Sequence, residues 1–315
     1  MRDHLGRDIR YLRISLTERC DLKCIYCREE TAYCQAKREL SVTELARLMG
    51  LFAGLGITKV RLTGGEPLVR RDLEEIVHMI ARIPQVRDLS MTTNAQSLAD
   101  RVGALRRAGL QRVNISLDSL QAERYHRMTR GGTLQKALDG LHAALREGLT
   151  VKVNVVLVRG ENDAEIDDFV ALARNYPIDV RFIELMPFCA LSAAAEKRVP
   201  GEEILARHPA LRPVAARHPS QPAADYQEPG ALGRVGLIDP ISHRFCCCCD
   251  RVRLTSDGKL RMCLGQEKET DLRAWMDKSD TALRYIMQKA IYNKPDAHGF
   301  DSGFHAVRAM NQIGG

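Results

Sequence analysis

Apolar, β-branched runs recur along the first part of the chain, and the gap between one run and the next leaves room for a helix. The runs fall at 9–16, 57–62, 86–91, 112–117, 151–157 and 179–184, each short enough for one strand. Between them the apolar positions adopt a helical period, as over 41–55, which opens on Ser41-Val42-Thr43-Glu44. There the serine hydroxyl and the glutamate carboxylate are placed to satisfy free backbone N–H groups, a capping box. Six strand–helix units in succession predict an α/β fold with a parallel sheet, because a parallel neighbour needs a crossover long enough to hold a helix. The runs end in polar or glycine-rich stretches, among them Thr63-Gly64-Gly65-Glu66-Pro67, Thr92-Thr93-Asn94, Ser116-Leu117-Asp118-Ser119 and Glu184-Leu185-Met186-Pro187. Six such strand ends on one side predict a barrel-like arrangement rather than a flat sheet with one crevice. Six units fall short of the eight of a closed barrel, so the expectation is a partial, open, TIM-like (β/α)6 barrel.

Beyond Met186 the pattern changes. Residues 187–232 are rich in Ala, Pro and charge with little periodicity, and read as a connecting region that is partly helical at 200–207. From Gly233 short strands return. Thr255-Ser256-Asp257-Gly258 reads as a hairpin turn between Arg251-Val252-Arg253-Leu254 and Lys259-Leu260-Arg261-Met262-Cys263, and 268–292 reads as helix. The expected division is a barrel over 1–186, a connecting region over 187–232 and a C-terminal unit over 233–315.

Composition narrows the class. A chain of 315 residues can build a substantial core, and its formal charge of +7 comes without a Lys/Arg tract interleaved with aromatics, which disfavours extended nucleic-acid binding. Ten cysteines would suggest disulfides in a secreted protein. The start, Met1-Arg2-Asp3-His4, has no apolar signal segment and no later stretch is apolar enough to span a membrane, so a reducing cytoplasm and metal ligation are expected.

Six cysteines form two triads, Cys20/Cys24/Cys27 and Cys246/Cys249/Cys263. Each offers three thiolates where a saturated site takes four, and a cluster lacking one cysteine keeps an iron open for a ligand. The first triad lies on the loop leaving the first strand, where three thiolates can fold round a cubane; a zinc knuckle is the alternative. The hairpin turn brings Cys263 back beside Cys249, and period-two alternation puts Arg251 and Arg253 on one face, with Cys263 and Arg261 as cross-strand candidates. A zinc hairpin using Cys247 or Cys248 stays open for this second triad. Cys34, Cys189, Cys247 and Cys248 are expected to be non-ligands. Arg13, Arg61 and Arg181 place charge inside parallel strands; together they point to a phosphate site, and singly each could pair with a carboxylate or reach outward.

The spacing Cys20-Asp21-Leu22-Lys23-Cys24-Ile25-Tyr26-Cys27, followed by Gly64-Gly65-Glu66-Pro67, resembles the radical S-adenosylmethionine (SAM) enzymes. The second triad narrows the resemblance to the GTP 3′,8-cyclase family of molybdenum cofactor biosynthesis. The match runs from Leu5-Gly6-Arg7 to Ile313-Gly314-Gly315 and is most specific over Ser242-His243-Arg244-Phe245-Cys246 to Cys263. The resemblance implies a partial barrel closed by a C-terminal iron–sulfur region, two [4Fe–4S] clusters held by the two triads, and SAM as cofactor. It implies that Tyr26, Gly65, Ser116 and Met186 line the SAM site, and that Arg13, Arg61, Thr92, Lys152, Arg181, Arg251 and Arg253 line the GTP site. It further implies a 5′-deoxyadenosyl radical that takes hydrogen from ribose carbon 3′ of GTP, the carbon radical then attacking guanine carbon 8. The partners implied are GTP, a one-electron donor such as flavodoxin or ferredoxin, and a downstream cyclic pyranopterin monophosphate synthase; a homodimer is compatible with it. The terminal glycine pair resembles a family tail that reaches into the active site. A radical SAM enzyme acting on a peptide or another small molecule is the alternative. Asp250 stands where the family usually carries asparagine, and 187–190 lacks the usual family sequence.

Overall fold

A computed structural model describes residues 1–27, 38–300, 304 and 306–314. The six expected strand–helix units are present: β1 Tyr11–Ser15, α1 Val42–Gly54, β2 Lys59–Thr63, α2 Leu73–Ala81, β3 Asp88–Thr93, α3 Leu98–Ala108, β4 Arg112–Ser116, α4 Ala122–Thr129, α5 Leu134–Arg146, β5 Thr150–Val156, α6 Ile166–Asn175 and β6 Asp179–Ile183. The Ser41–Glu44 capping box opens α1 as its sequence predicts, with Ser41 Oγ accepting from Glu44 N at 3.2 Å and Glu44 Oε2 from Ser41 N at 2.8 Å.

The alternation within these strands explains both the core and the site. Leu12, Ile14, Val60, Leu62, Leu89, Met91, Val113, Ile115, Val151, Val153, Val155, Val180 and Phe182 are buried in one apolar cluster with the packing faces of the helices. The intervening positions, Tyr11, Arg13, Lys59, Arg61, Arg112, Lys152, Asn154 and Arg181, turn to the concave side and line a cavity. Because side chains on a strand alternate between faces, one polar residue at every second position is enough to make a polar interior inside an apolar shell.

The rest of the chain continues the sheet at both ends: α7 Ala190–Ala193, α8 Gly201–Arg207, β7 Arg212–Pro213, β8 Ala224–Gln227, β9 Val235–Ile238, β10 Arg251–Leu254, β11 Lys259–Arg261, β12 Glu269–Asp271, α9 Asp280–Tyr292 and α10 Met310–Ile313. The strand order is β12-β11-β10-β1-β2-β3-β4-β5-β6-β9-β8-β7. β9 lies parallel to β6 and β10 parallel to β1, so the parallel run reaches eight strands, while β9 and β10 are not hydrogen-bonded to each other. The barrel is therefore open, as expected.

Two local readings change. Residues 187–232, read as having little periodicity, contain two short α-helices and the strands β7 and β8, which form by antiparallel pairing, β8 to β9 and β7 to β8, rather than from any local pattern. Residues 268–292 are not one helix. Glu269–Asp271 pairs with β11, where Glu269 Oε1 takes a 2.8 Å ion pair from the buried Arg261, and α9 begins only after its Ser279 N-cap. Arg261 does oppose Arg253 across the hairpin, but its guanidinium is held by Glu269 and the Gln266 carbonyl and does not line the cavity. Among the described residues no helix is long and apolar enough to cross a membrane.

Candidate active site

The concave side of the sheet holds two adjoining cavities whose walls share Asn154, Ile183 and Met186. The smaller, of about 180 Å³, lies at the carboxyl ends of the strands and is lined by Cys20, Cys24 and Cys27. Tyr26, Gly65, Ser116 and Met186 line it too, and so does Thr92, which the sequence grouped with the arginines.

The motif after β2 explains how this end is built. Gly65 lies so close to the first cysteine loop that a Cβ there would fall 2.2 Å from the Arg19 carbonyl oxygen. Its N–H donates to Thr17 O at 2.7 Å, and Glu66 N donates to Arg19 O at 2.8 Å. The Glu66 carboxylate accepts from Asn94 N and Thr93 Oγ1, both at 2.7 Å, tying the end of β2 to that of β3; burial pushes this carboxyl up to about 7. Tyr26 Oη donates to Asp118 at 2.6 Å, and Asp118 also accepts from Val156 N at 2.9 Å, so one carboxylate joins the cysteine loop to β4 and β5.

The larger cavity, of about 410 Å³, is lined by Arg13, Arg61, Lys152, Arg181, Arg251 and Arg253, with Cys246, Cys249 and Cys263 on one wall. Lys59, Arg112, Arg217 and Lys294 add charge to it, and among the described residues no carboxylate lines it. Among the described residues Arg13 Nε, Arg181 Nε and Arg251 Nη2 are buried with no hydrogen-bond partner, as is Thr92 Oγ1 on the smaller cavity. A low-polarity interior holds several like charges and unmade hydrogen bonds only when an anion completes them, so this chamber suits a polyanion. Two carboxylates stand behind the wall. Asp179 pairs with Lys152 at 2.6 Å and with Arg217, and Asp88 pairs with Arg112 at 2.9 Å and with Lys59 at 3.5 Å.

Crowding of cations moves the acid–base equilibria. Burial, helped by Arg181, lowers Lys152 to about 8, and against the opposing effect of burial Arg61 and Arg13 bring the Tyr11 phenol down to about 8. Lys152 is cationic below that value and neutral above it, while Tyr11 is neutral below and anionic above. The first change removes an attraction and the second adds a repulsion toward an anionic ligand as pH rises, so the affinity for a nucleoside triphosphate is expected to fall by about tenfold between pH 7 and 9. Calorimetric titration across that range checks this, and a flat profile would remove both groups from the binding face.

The two triads differ in setting. Burial raises the Cys24 thiol well above its ordinary value, whereas for Cys249 burial is outweighed by Arg251 and Lys294, which bring it to about 7. Among the described residues no three His, Cys, Asp or Glu side chains converge as a single zinc ion requires. A cluster that gives each thiolate its own iron accepts wider spacing, and the six cysteines are free thiols lining the two cavities, three in each. Cys247 and Cys248 are exposed, Cys189 hydrogen-bonds to Ile25 O at 3.5 Å, and Cys34 lies outside the described residues. The Asp250 carboxylate does not line the larger cavity.

The chain's end turns inward. Met310 and Asn311 line the smaller cavity, Met310 N donates to Cys27 O at 3.2 Å, and Arg253 donates to the Gly314 carbonyl. Gly315 lies outside the described residues. Several lining groups were not singled out from sequence. Tyr11 and Lys59 sit two positions before Arg13 and Arg61, so alternation could have found them; Arg217 and Lys294 carry no local signal.

Comparison with known proteins agrees with this geometry. The Radical SAM superfamily model matches residues 14–173 and the Molybdenum Cofactor Synthesis C model matches 178–300. Streptococcus suis SuiB bound to S-adenosylmethionine superposes with a TM-score of 0.59 at 12% identity, over 91% of this chain and 64% of that longer one, a likeness of fold. The chain is thus a radical SAM enzyme, with SAM and [4Fe–4S] clusters as cofactors. A GTP 3′,8-cyclase from Alkaliphilus oremlandii is 46% identical over 321 residues and one from Moorella thermoacetica 44% over 323, each match covering 100% of both chains. The chain belongs to the GTP 3′,8-cyclase family.

Proposed function

We propose that the two cavities divide the cyclase reaction of molybdenum cofactor biosynthesis between them. In this reading Cys20, Cys24 and Cys27 hold the first [4Fe–4S] cluster, and Tyr26, Gly65, Ser116 and Met186 line the SAM site beside it. Cys246, Cys249 and Cys263 hold the second. Arg13, Arg61, Lys152, Arg181, Arg251 and Arg253 bind GTP, and Thr92, on the smaller cavity, contacts it from the SAM side. The observation that carries the reading is a cation-lined chamber with no carboxylate on its wall among the described residues, opening onto a second cysteine triad.

When bound, SAM and its cluster supply the 5′-deoxyadenosyl radical that starts conversion of GTP to (8S)-3′,8-cyclo-7,8-dihydroguanosine 5′-triphosphate. The chain's own work is placement. The guanidiniums fix the triphosphate at the floor of the barrel, the shared wall at Asn154, Ile183 and Met186 sets where ribose meets the SAM cavity, and the inward-turned tail excludes water. A one-electron donor such as flavodoxin or ferredoxin, a cytoplasmic setting and a cyclic pyranopterin monophosphate synthase acting downstream complete the reading; a homodimer is compatible with it. A barrel unit over 1–186, a connecting region over 187–232 and a C-terminal unit over 233–315 describe the same division of labour.

Anaerobic turnover with SAM, GTP and a strong reductant tests it: 5′-deoxyadenosine and cyclised nucleotide are expected in equal amounts, and deoxyadenosine alone would send the search to another substrate. Arg251→Ala is expected to weaken GTP binding roughly tenfold to a hundredfold, the worth of a charge-assisted phosphate contact. Parent-like binding would take Arg251 out of the phosphate site.

A further inference from the structure

Lys294 is a buried cation whose ammonium is turned onto the backbone of the second cysteine hairpin. It follows α9, is 2% exposed, and among the described residues no carboxylate pairs with it. Its ammonium donates to the carbonyl oxygens of Arg251, at 2.9 Å, and Met262, at 2.5 Å, two residues on the facing arms of the hairpin that bears Cys249 and Cys263. An ammonium has three N–H donors, so two are spent on backbone. Lys294 also lines the larger cavity on its cysteine wall, and its charge acts on both thiols.

A second buried cation provides the contrast. Arg7 donates to Cys246 O at 2.9 Å and to Pro295 O at 2.8 Å, so it too braces the triad through backbone, but its charge is matched by Asp3 at 2.6 Å. Bracing alone therefore comes here with a counter-ion. A buried cation without one is costly unless something negative completes the site, and a thiolate-ligated cluster is negative.

We propose that Lys294 is the counter-charge of the second cluster and raises its reduction potential, the ammonium held by two strand carbonyls against Cys249 and Cys263 favouring the reduced, more negative state. This rests on the reading that Cys246, Cys249 and Cys263 hold that cluster. The physical cause is general: adding an electron makes a cluster more negative, and a fixed cation in a low-dielectric wall stabilises that state more than the oxidised one. Lys294 is thus a positioning residue, acting on substrate only through the cluster.

The test uses the full-length chain carrying Cys20→Ala, Cys24→Ala and Cys27→Ala, whose remaining iron reports the second cluster alone. Its midpoint potential is measured by spectroscopic redox titration with dithionite, together with iron content and thermal melting. Lys294→Gln keeps donors for the two carbonyls and removes the charge; it is expected to melt like the background and to titrate at a more negative potential. Lys294→Arg keeps the charge and is expected to titrate like the background. Equal potentials in all three would overturn the proposal. If Lys294→Gln folds but loses its iron while Lys294→Arg retains it, the need for the charge is shown by retention instead. If both lose it, the role is structural and the proposal fails. A background chain that binds no iron would overturn the ligand reading itself, a failure visible before Lys294 is touched.

Discussion

Cys263→Ala is expected to leave 5′-deoxyadenosine forming from SAM while cyclised nucleotide falls below detection. The separation follows from where the two triads stand. Cys20, Cys24 and Cys27 line the smaller cavity, Cys263 lines the larger, and the two share only the wall of Asn154, Ile183 and Met186. On the proposed reading, removing Cys263 takes one thiolate from the wall that faces GTP and leaves the cavity proposed for SAM intact. Radical formation then continues without a correctly held partner, and a misplacement of about 1 Å at a reacting centre already costs on the order of a hundredfold in rate. Mass spectrometry of both products in one anaerobic assay checks this; cyclised nucleotide at the parent rate would show that the second triad has no part in the reaction.

Gly65→Ala is expected to abolish SAM cleavage, and to do so through backbone rather than through lost chemistry. The added methyl carbon would meet the Arg19 carbonyl oxygen at 2.2 Å, its carbon at 2.6 Å and the Glu18 carbonyl oxygen at 2.8 Å. None of these is a flexible side-chain end, so the cysteine loop must move, and the two hydrogen bonds from Gly65 N and Glu66 N that dock it go with it. Overpacking of this kind costs about 2–3 kcal/mol. Here the cost falls on the loop that carries Cys20. Iron content, SAM binding and deoxyadenosine release, compared with Gly50→Ala on an open helix face where a Cβ meets nothing within 4 Å, measure it. A Gly65→Ala protein that loads iron and cleaves SAM like the parent would sink the argument.

What could be read from the sequence was what local spacing encodes. The six strands and the α1 capping box follow from short-range periodicity and cap chemistry, and both cysteine triads lie within a loop or a hairpin. Arg13, Arg61 and Arg181 stood out because charge is rare in parallel strands. Strands β7 and β8 were missed because they are made by pairing, β8 with β9 and β7 with β8, and β9 finds its place beside β6 across some fifty residues of chain. Glu269 was read as helical because nothing nearby announces that Arg261 will claim it. Arg217 and Lys294 reach the cavity on returning segments, so no window of sequence places them there. Thr92 was grouped with the arginines by family resemblance, whereas its place near the carboxyl end of β3 puts it on the smaller cavity.

The strand order also carries a consequence for how the chain is made. β1 takes its second neighbour, β10, through pairs such as Tyr11 with Arg251, 240 residues later. At ribosomal rates of about 5–20 residues per second, that edge waits roughly 12–48 s for its partner to be synthesised. Throughout that interval Tyr11-Leu12-Arg13-Ile14-Ser15 presents an unpaired ladder with two apolar residues on its core face. Arg13, proposed above to meet phosphate, has an earlier use: in the middle of the waiting edge it is a charge that discourages one nascent chain from adding itself to another.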